Sequence, residues 1–162
     1  MPLAAGRLRA ALVTVGGQTA QLLHVADAHT DGDTIVYFPA ANVVSTGDVV
    51  SSQSYPNIDV TVGGSIDGLI RGCDEVVKLA NDQTKIVPGH GHLTDKAGVR
   101  AYCTMLMTAR RLIAKEIAEG KSEDQMIADK PLAELDRQWA VNGGPFVQPF
   151  PRLVYRSLKK IS

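Results

Sequence analysis

The stretch His24-Val25-Ala26-Asp27-Ala28-His29-Thr30-Asp31-Gly32-Asp33-Thr34-Ile35-Val36-Tyr37-Phe38-Pro39 decides the fold. Thr34 to Phe38 is a β-branched and aromatic run that stops at Pro39, which reads as a strand. Ala28 to Asp33 is polar and flanks Gly32, so it reads as a loop joining that strand to an earlier one. A histidine and several carboxylates are thus set where one strand ends and the next begins.

Upstream, Ala10 to Val15 and Thr19 to Val25 are two apolar runs separated by Gly16-Gly17, a pair that supplies the positive φ of a tight hairpin. Downstream, Asn42 to Val50 is a further strand, interrupted by the turn-like Thr46-Gly47-Asp48. A polar loop, Ser51 to Gly64, follows. Ser65 is then a helix N-cap, and Ile66, Leu69, Ile70, Cys73, Val76, Val77 and Ala80 recur at the helical period. Lys85 to Val87 is a short strand ended by Pro88-Gly89. Thr94 is expected to cap a second helix with its stripe on Val99, Tyr102, Leu106, Ala109, Ile113 and Ile117, stopped by Gly120. Ser122 to Asp129 and Leu132 to Trp139 read as short helices, Asn142 to Pro145 as a loop and Arg152 to Lys160 as a last helix. The expected organisation is one domain, 1–162, with a strand-rich part over 10–92 and a helical part over 93–162.

The composition narrows function. The chain has 162 residues, with 17 Lys+Arg against 17 Asp+Glu. Zero formal charge argues against a nucleic-acid partner, because phosphate backbones are bound by an excess of cations. An aromatic content of 5% leaves little for base stacking. No apolar run approaches the roughly 20 residues of a membrane span. Arg7 and Arg9 interrupt the apolar N-terminal stretch, so it does not read as a secretory signal. Two cysteines make no disulfide framework, and a reduced, cytoplasmic setting is expected. Cys73 and Cys103 fall on or beside the apolar stripes and read as core thiols; Trp139, Phe146 and Phe150 read as anchors of the tail.

Chemistry is expected at three strand ends: the His29 loop, Asp48, and His90 within Pro88-Gly89-His90-Gly91-His92. Two imidazoles and a carboxylate suit Zn²⁺, and Thr30 or Asp33 would orient the His29 ring from behind. The spacings, 19 residues from His29 to Asp48 and 42 onward to His90, match no local metal motif. Asp48 and His90 are equally residues that close turns by bonding backbone groups. Gly63-Gly64-Ser65 opens a helix and reads as an N-cap before an anion site, and His24 reads as a core or hydrogen-bonded histidine.

Taken in order, His24 to Pro39, then Asn42-Val43-Val44-Ser45-Thr46-Gly47-Asp48, then Gly63-Gly64-Ser65-Ile66-Asp67-Gly68, then Lys85-Ile86-Val87-Pro88-Gly89-His90-Gly91, the chain resembles the metallo-β-lactamase superfamily. The resemblance implies an α/β (α+β) fold: half of an αββα sandwich, one mixed sheet with helices on one face and a helical C-terminal tail. It implies that His29 matches the third histidine of the first metal site, Asp48 the acid shared by two metals, and His90 the final histidine of the second. In that family metal-bound hydroxide attacks a lactam, thioester or other ester, which makes Asp48 and His90 the candidate catalytic residues. The family's H-x-H-x-D-H motif is absent, and His92 matches no ligand. The implied reading is a hydrolase half with an incomplete zinc site, impaired or inactive alone, that forms a homodimer through its exposed sheet face. The alternatives are a hydrolase active on its remnant site, or one completed by a chain carrying H-x-H-x-D-H.

Overall fold

A computed structural model describes residues 10–140 and 145–160. Five strands, β1 (Ala10–Val15), β2 (Gln18–Val25), β3 (Asp33–Phe38), β4 (Val43–Ser51) and β5 (Lys85–His90), form one sheet in sequential order. The first four pair antiparallel, and β5 joins β4 parallel after the crossover helix α1 (Ile66–Leu79). The helical part follows as α2 (Lys96–Ala118), α3 (Glu123–Asp129), α4 (Ala133–Trp139) and α5 (Phe150–Lys159). The architecture is thus a mixed five-stranded sheet with five helices, of the α+β class.

Local chemistry sets most boundaries. Gly16 and Gly17, at φ 57° and 77°, turn β1 into β2 as a two-residue loop. Ser65 accepts the Gly68 N–H at 2.9 Å and so caps α1. Helix α2 departs from expectation: Asp95, not Thr94, is its N-cap, because Thr94 is paired with Ile86 in an isolated antiparallel bridge. Strand β4 runs on through Thr46-Gly47-Asp48, absorbing the turn-like triplet as irregular register against β5, and β5 continues past Pro88 to His90. As an edge strand β5 tolerates a proline that donates no ladder bond. Helix α5 begins at Phe150, ahead of Arg152, since Pro151 fits the first helical turn. Of the Asn142–Pro145 loop, 142–144 lie outside the described residues.

One face of the sheet is buried. Val25, Ile35, Val44 and Ile86 pack beneath α1 and α2, whose buried stripes run through Ile66, Leu69, Cys73 and Val76, and through Val99, Tyr102, Leu106, Ala109 and Ile113. Phe150 at the head of α5 stacks on Tyr55 with centroids 4.4 Å apart, and the Tyr55 hydroxyl donates to Asp136 at 2.8 Å, so the tail is part of the core. The register places Val13, Leu22, Val36, Phe38, Val43 and Val87 together on the opposite face. There Val13 is 44% exposed, Phe38 38% and Val87 42%. No helix among the described residues is long and apolar enough to cross a membrane.

Candidate functional site

Strands β2, β4 and β5 run in one direction, so their C-terminal ends lie at one end of the sheet. Those ends carry His29, in the loop after β2, with Asp48 late in β4 and His90 at the close of β5. The three side chains meet there. Asp48 Oδ2 lies 3.6 Å from His29 Nε2, and Asp48 Oδ1 lies 3.2 Å from His90 Nε2. The carboxylate stands between two imidazoles, one on each oxygen.

The backbone is shaped to allow this. A Cβ at Gly89 would fall 2.3 Å from Asp48 Oδ1 and 2.7 Å from the Gly47 carbonyl carbon, so only glycine lets β5 pass beneath the carboxylate. The His29 loop is clasped by the segment before α1. Asp59 N–H donates to His29 O at 2.9 Å, Asp31 N–H to Val62 O at 3.0 Å, and Ser65 N–H to Ala28 O at 2.8 Å. Ser65 adds its hydroxyl to Asp27 O at 2.7 Å. That close contact requires glycine at 64 and 68, where a Cβ would lie 2.2 Å from His29 O and 1.7 Å from Asp27 O. The Thr61 hydroxyl, and more weakly the nearby His29, hold the Asp59 carboxyl below the usual carboxylate range.

The His29 ring is oriented by Asn57, whose carbonyl oxygen lies 3.2 Å from Nδ1. A carbonyl only accepts, so Nδ1 carries the proton and Nε2 turns toward Asp48. Thr30 and Asp33 act on the loop itself: Asp33 Oδ2 accepts the Thr30 N–H at 2.7 Å, and Thr30 Oγ1 accepts the Gly32 N–H at 3.1 Å. Gly89 belongs to the glycine turn around His90 that the sequence already marks, whereas Asn57 is not visible as a site residue in the sequence, since it acts through a backbone atom brought in by the fold. His24 hydrogen-bonds Asp31 O at 2.7 Å. His92 joins Ser52 through its backbone: its N–H donates to Ser52 Oγ at 2.7 Å and its carbonyl accepts the same hydroxyl at 2.8 Å. Ser65 is an N-cap, and the two cysteines are buried and unbridged.

This donor set does not fit a resident metal ion. Among the described residues no group of three or more His, Cys, Asp or Glu side chains could hold one. Each imidazole shares a different carboxylate oxygen, so each candidate position has two protein donors, whereas a catalytic zinc takes three.

No family model and no curated protein matches the chain. Solved structures do. A metallo-β-lactamase from Pontibacter korlensis aligns at TM-score 0.52 and 18% identity, over 60% of this chain and 46% of its own. The B3 metallo-β-lactamase BLEG-1 aligns at TM-score 0.50 and 25% identity, over 59% of this chain and 44% of its own. The stereoselective inverting sec-alkylsulfatase Pisa1 from Pseudomonas sp. aligns at TM-score 0.66 and 19% identity, over 91% of this chain and 25% of its own. The chain therefore has, in part, the metallo-β-lactamase superfamily fold. It spans between a quarter and just under half of the length of these proteins, and the alkylsulfatase match takes in most of the helical tail as well.

Proposed function

We propose that this chain is a metallo-β-lactamase-type hydrolase half that does not catalyse alone and self-associates through its bare sheet face. The observation that carries the reading is the pairing of a partly exposed sheet face, on which Val13, Phe38 and Val87 are open beside His24, Thr34, Ser45 and Lys85, with a ligand cluster one donor short at each position. The apolar part of such a face marks a protein interface, and two sheets packed face to face bury it from both sides. The buried, unbridged thiols suit a reducing, cytoplasmic setting.

Light scattering at micromolar concentration is expected to give a dimer, and Phe38→Asp, which puts a charge in the face, a monomer. Elemental measurement is expected to give zinc well below one per chain, without turnover of lactam, thioester, carboxylic ester or alkyl sulfate. A monodisperse wild-type monomer overturns the self-association. Stoichiometric zinc with turnover lost in His29→Ala overturns the lack of catalysis.

A second reading is favoured by the Asp48 carboxylate standing between two imidazoles. A partner carrying H-x-H-x-D-H would supply the missing donors, and the same sheet face would receive it. Turnover that appears on mixing with such a partner, and vanishes with Asp48→Ala, selects this reading over the first.

A further inference from the structure

We propose that the cavity between the end of β4, the start of α2 and the end of α4 binds the uncharged hydrocarbon part, aromatic or branched alkyl, of a substrate. Its walls are Val50, Leu93, Ala101, Tyr102 and Trp139, with Ser52 at one side. The remaining lining groups are neutral amides, a hydroxyl and a glycine, and among the described residues none of the lining is charged. Three larger cavities differ: one of about 660 Å³ is lined by Asp27, Arg71 and Glu75 among others, one of about 450 Å³ by Asp67, Arg71, Arg156 and Lys160, and one of about 420 Å³ by Asp82, Lys85 and Asp95. An uncharged lining selects against ionised groups, which lose hydration on entry without gaining a partner.

Size and shape set the ligand class. The cavity holds about 250 Å³, and an apolar cavity of about 150 Å³ takes benzene. The site therefore suits a ring with two or three further carbons. Tyr102 and Trp139, almost fully buried, pack against each other with centroids 5.9 Å apart at 58° and form the aromatic floor of the cavity, while Leu93 and Ala101 supply its open apolar side. Leu93 is 63% exposed at the rim, an apolar side chain that a guest would cover.

The cavity adjoins the ligand cluster. Ser52 N–H donates to His90 O at 2.9 Å, and the Ser52 hydroxyl is tied to the His92 backbone. Leu93 and Thr94 continue the same loop. His90 itself does not line the cavity, but the Ser52 side of the cavity is the side nearest to it in the chain of hydrogen bonds, so a molecule held here by its hydrocarbon part would have its other end within that neighbourhood. That purpose rests on the partner-completed hydrolase reading above; the binding does not.

Trp139 is the only tryptophan, so its emission reports on the cavity without metal or turnover. The probe is 1-phenylethanol, with phenylacetate as the charged control, titrated into the full chain. A saturable shift of Trp139 emission is expected with 1-phenylethanol and at least about tenfold weaker binding of phenylacetate, a difference of about 1.4 kcal/mol. Ala101→Leu, at an exposed helix position, is expected to weaken 1-phenylethanol by a similar factor, as is Leu93→Asp at the rim. No saturable shift, equal binding of the anion, or wild-type affinity in both variants overturns the proposal. Because the titration needs no catalysis, failure of the hydrolase reading leaves its outcome untouched, and the reverse holds too.

Discussion

Two tyrosines in the same core should respond to loss of a hydroxyl with opposite sign. Tyr102 is buried, and among the described residues its hydroxyl makes no hydrogen bond of normal geometry, the Ser51 backbone N–H bearing on it only outside that geometry. Burial pushes its ionisation well above the ordinary tyrosine range. An unsatisfied buried hydroxyl costs about 1–3 kcal/mol of desolvation. Tyr102→Phe keeps the ring and its contact with Trp139 while removing that cost, so it should stabilise the protein by about 1 kcal/mol, or about 2–4 °C in Tm for a chain of this size. Tyr55 is equally buried, but its hydroxyl donates to Asp136 at 2.8 Å. Tyr55→Phe removes a hydrogen bond to a charged acceptor and should destabilise by about 1.5 kcal/mol. Urea unfolding followed by circular dichroism gives both values, at one fixed protein concentration because association shifts apparent stability. A loss of 1 kcal/mol or more in Tyr102→Phe would refute the reasoning: it would show that the hydroxyl is bonded, with the adjacent Ser51 N–H the first donor to consider.

Gly89→Ala should displace the Asp48 carboxylate from between its imidazoles at a cost of about 1–3 kcal/mol, the usual range for a forced overlap; NMR should show the His29 and His90 side-chain resonances moving while those of His24 and His92 stay, and an unchanged set of four would count against it. Acid stability should depend on Glu123, whose carboxyl Arg156 and then Arg152 hold below the usual carboxylate range. A depressed native value means the stabilisation is complete above the ordinary glutamate value of about 4.5 and is lost as pH falls through the native one. Glu123→Gln should therefore cost about 1 kcal/mol at neutral pH, with the gap from wild type closing under acid; a gap independent of pH rules out this ion pair as its source.

The sheet and its helices were legible because the chain states them locally. Gly16-Gly17 can hardly do other than turn, and most of the stripes on α1 and α2 are buried, with Ile70, Val77 and Ile117 half-buried at their margins. Where the reading slipped, a tertiary contact outweighed a local signal. Thr94 looks like a cap, but its backbone is taken by Ile86, which leaves Asp95 to cap. The triplet Thr46-Gly47-Asp48 looks like a turn, but pairing with β5 carries the strand through it. At the site, residue chemistry and family resemblance pointed to His29, Asp48 and His90, and the fold brings them to one carboxylate. Thr30 and Asp33 lay nearest His29 in sequence and were the natural choice to orient its ring. The carbonyl that does so belongs to Asn57, 28 residues on, and an unspecific backbone atom leaves no mark in the sequence.

The last helix reaches further than its position suggests. Ser157 Oγ accepts the Ile66 N–H at 2.9 Å, satisfying a free donor at the head of α1. That first turn carries Gly68 and follows directly on Gly64, the two residues against which the His29 loop is seated. A growing chain leaving the ribosome would have its sheet and crossover helix long before α5 emerged. The loop that aims His29 would then wait on a hydroxyl made more than 120 residues later. Truncation or a bulky fusion at the C-terminal helix should thus be felt first at the opposite end of the sequence.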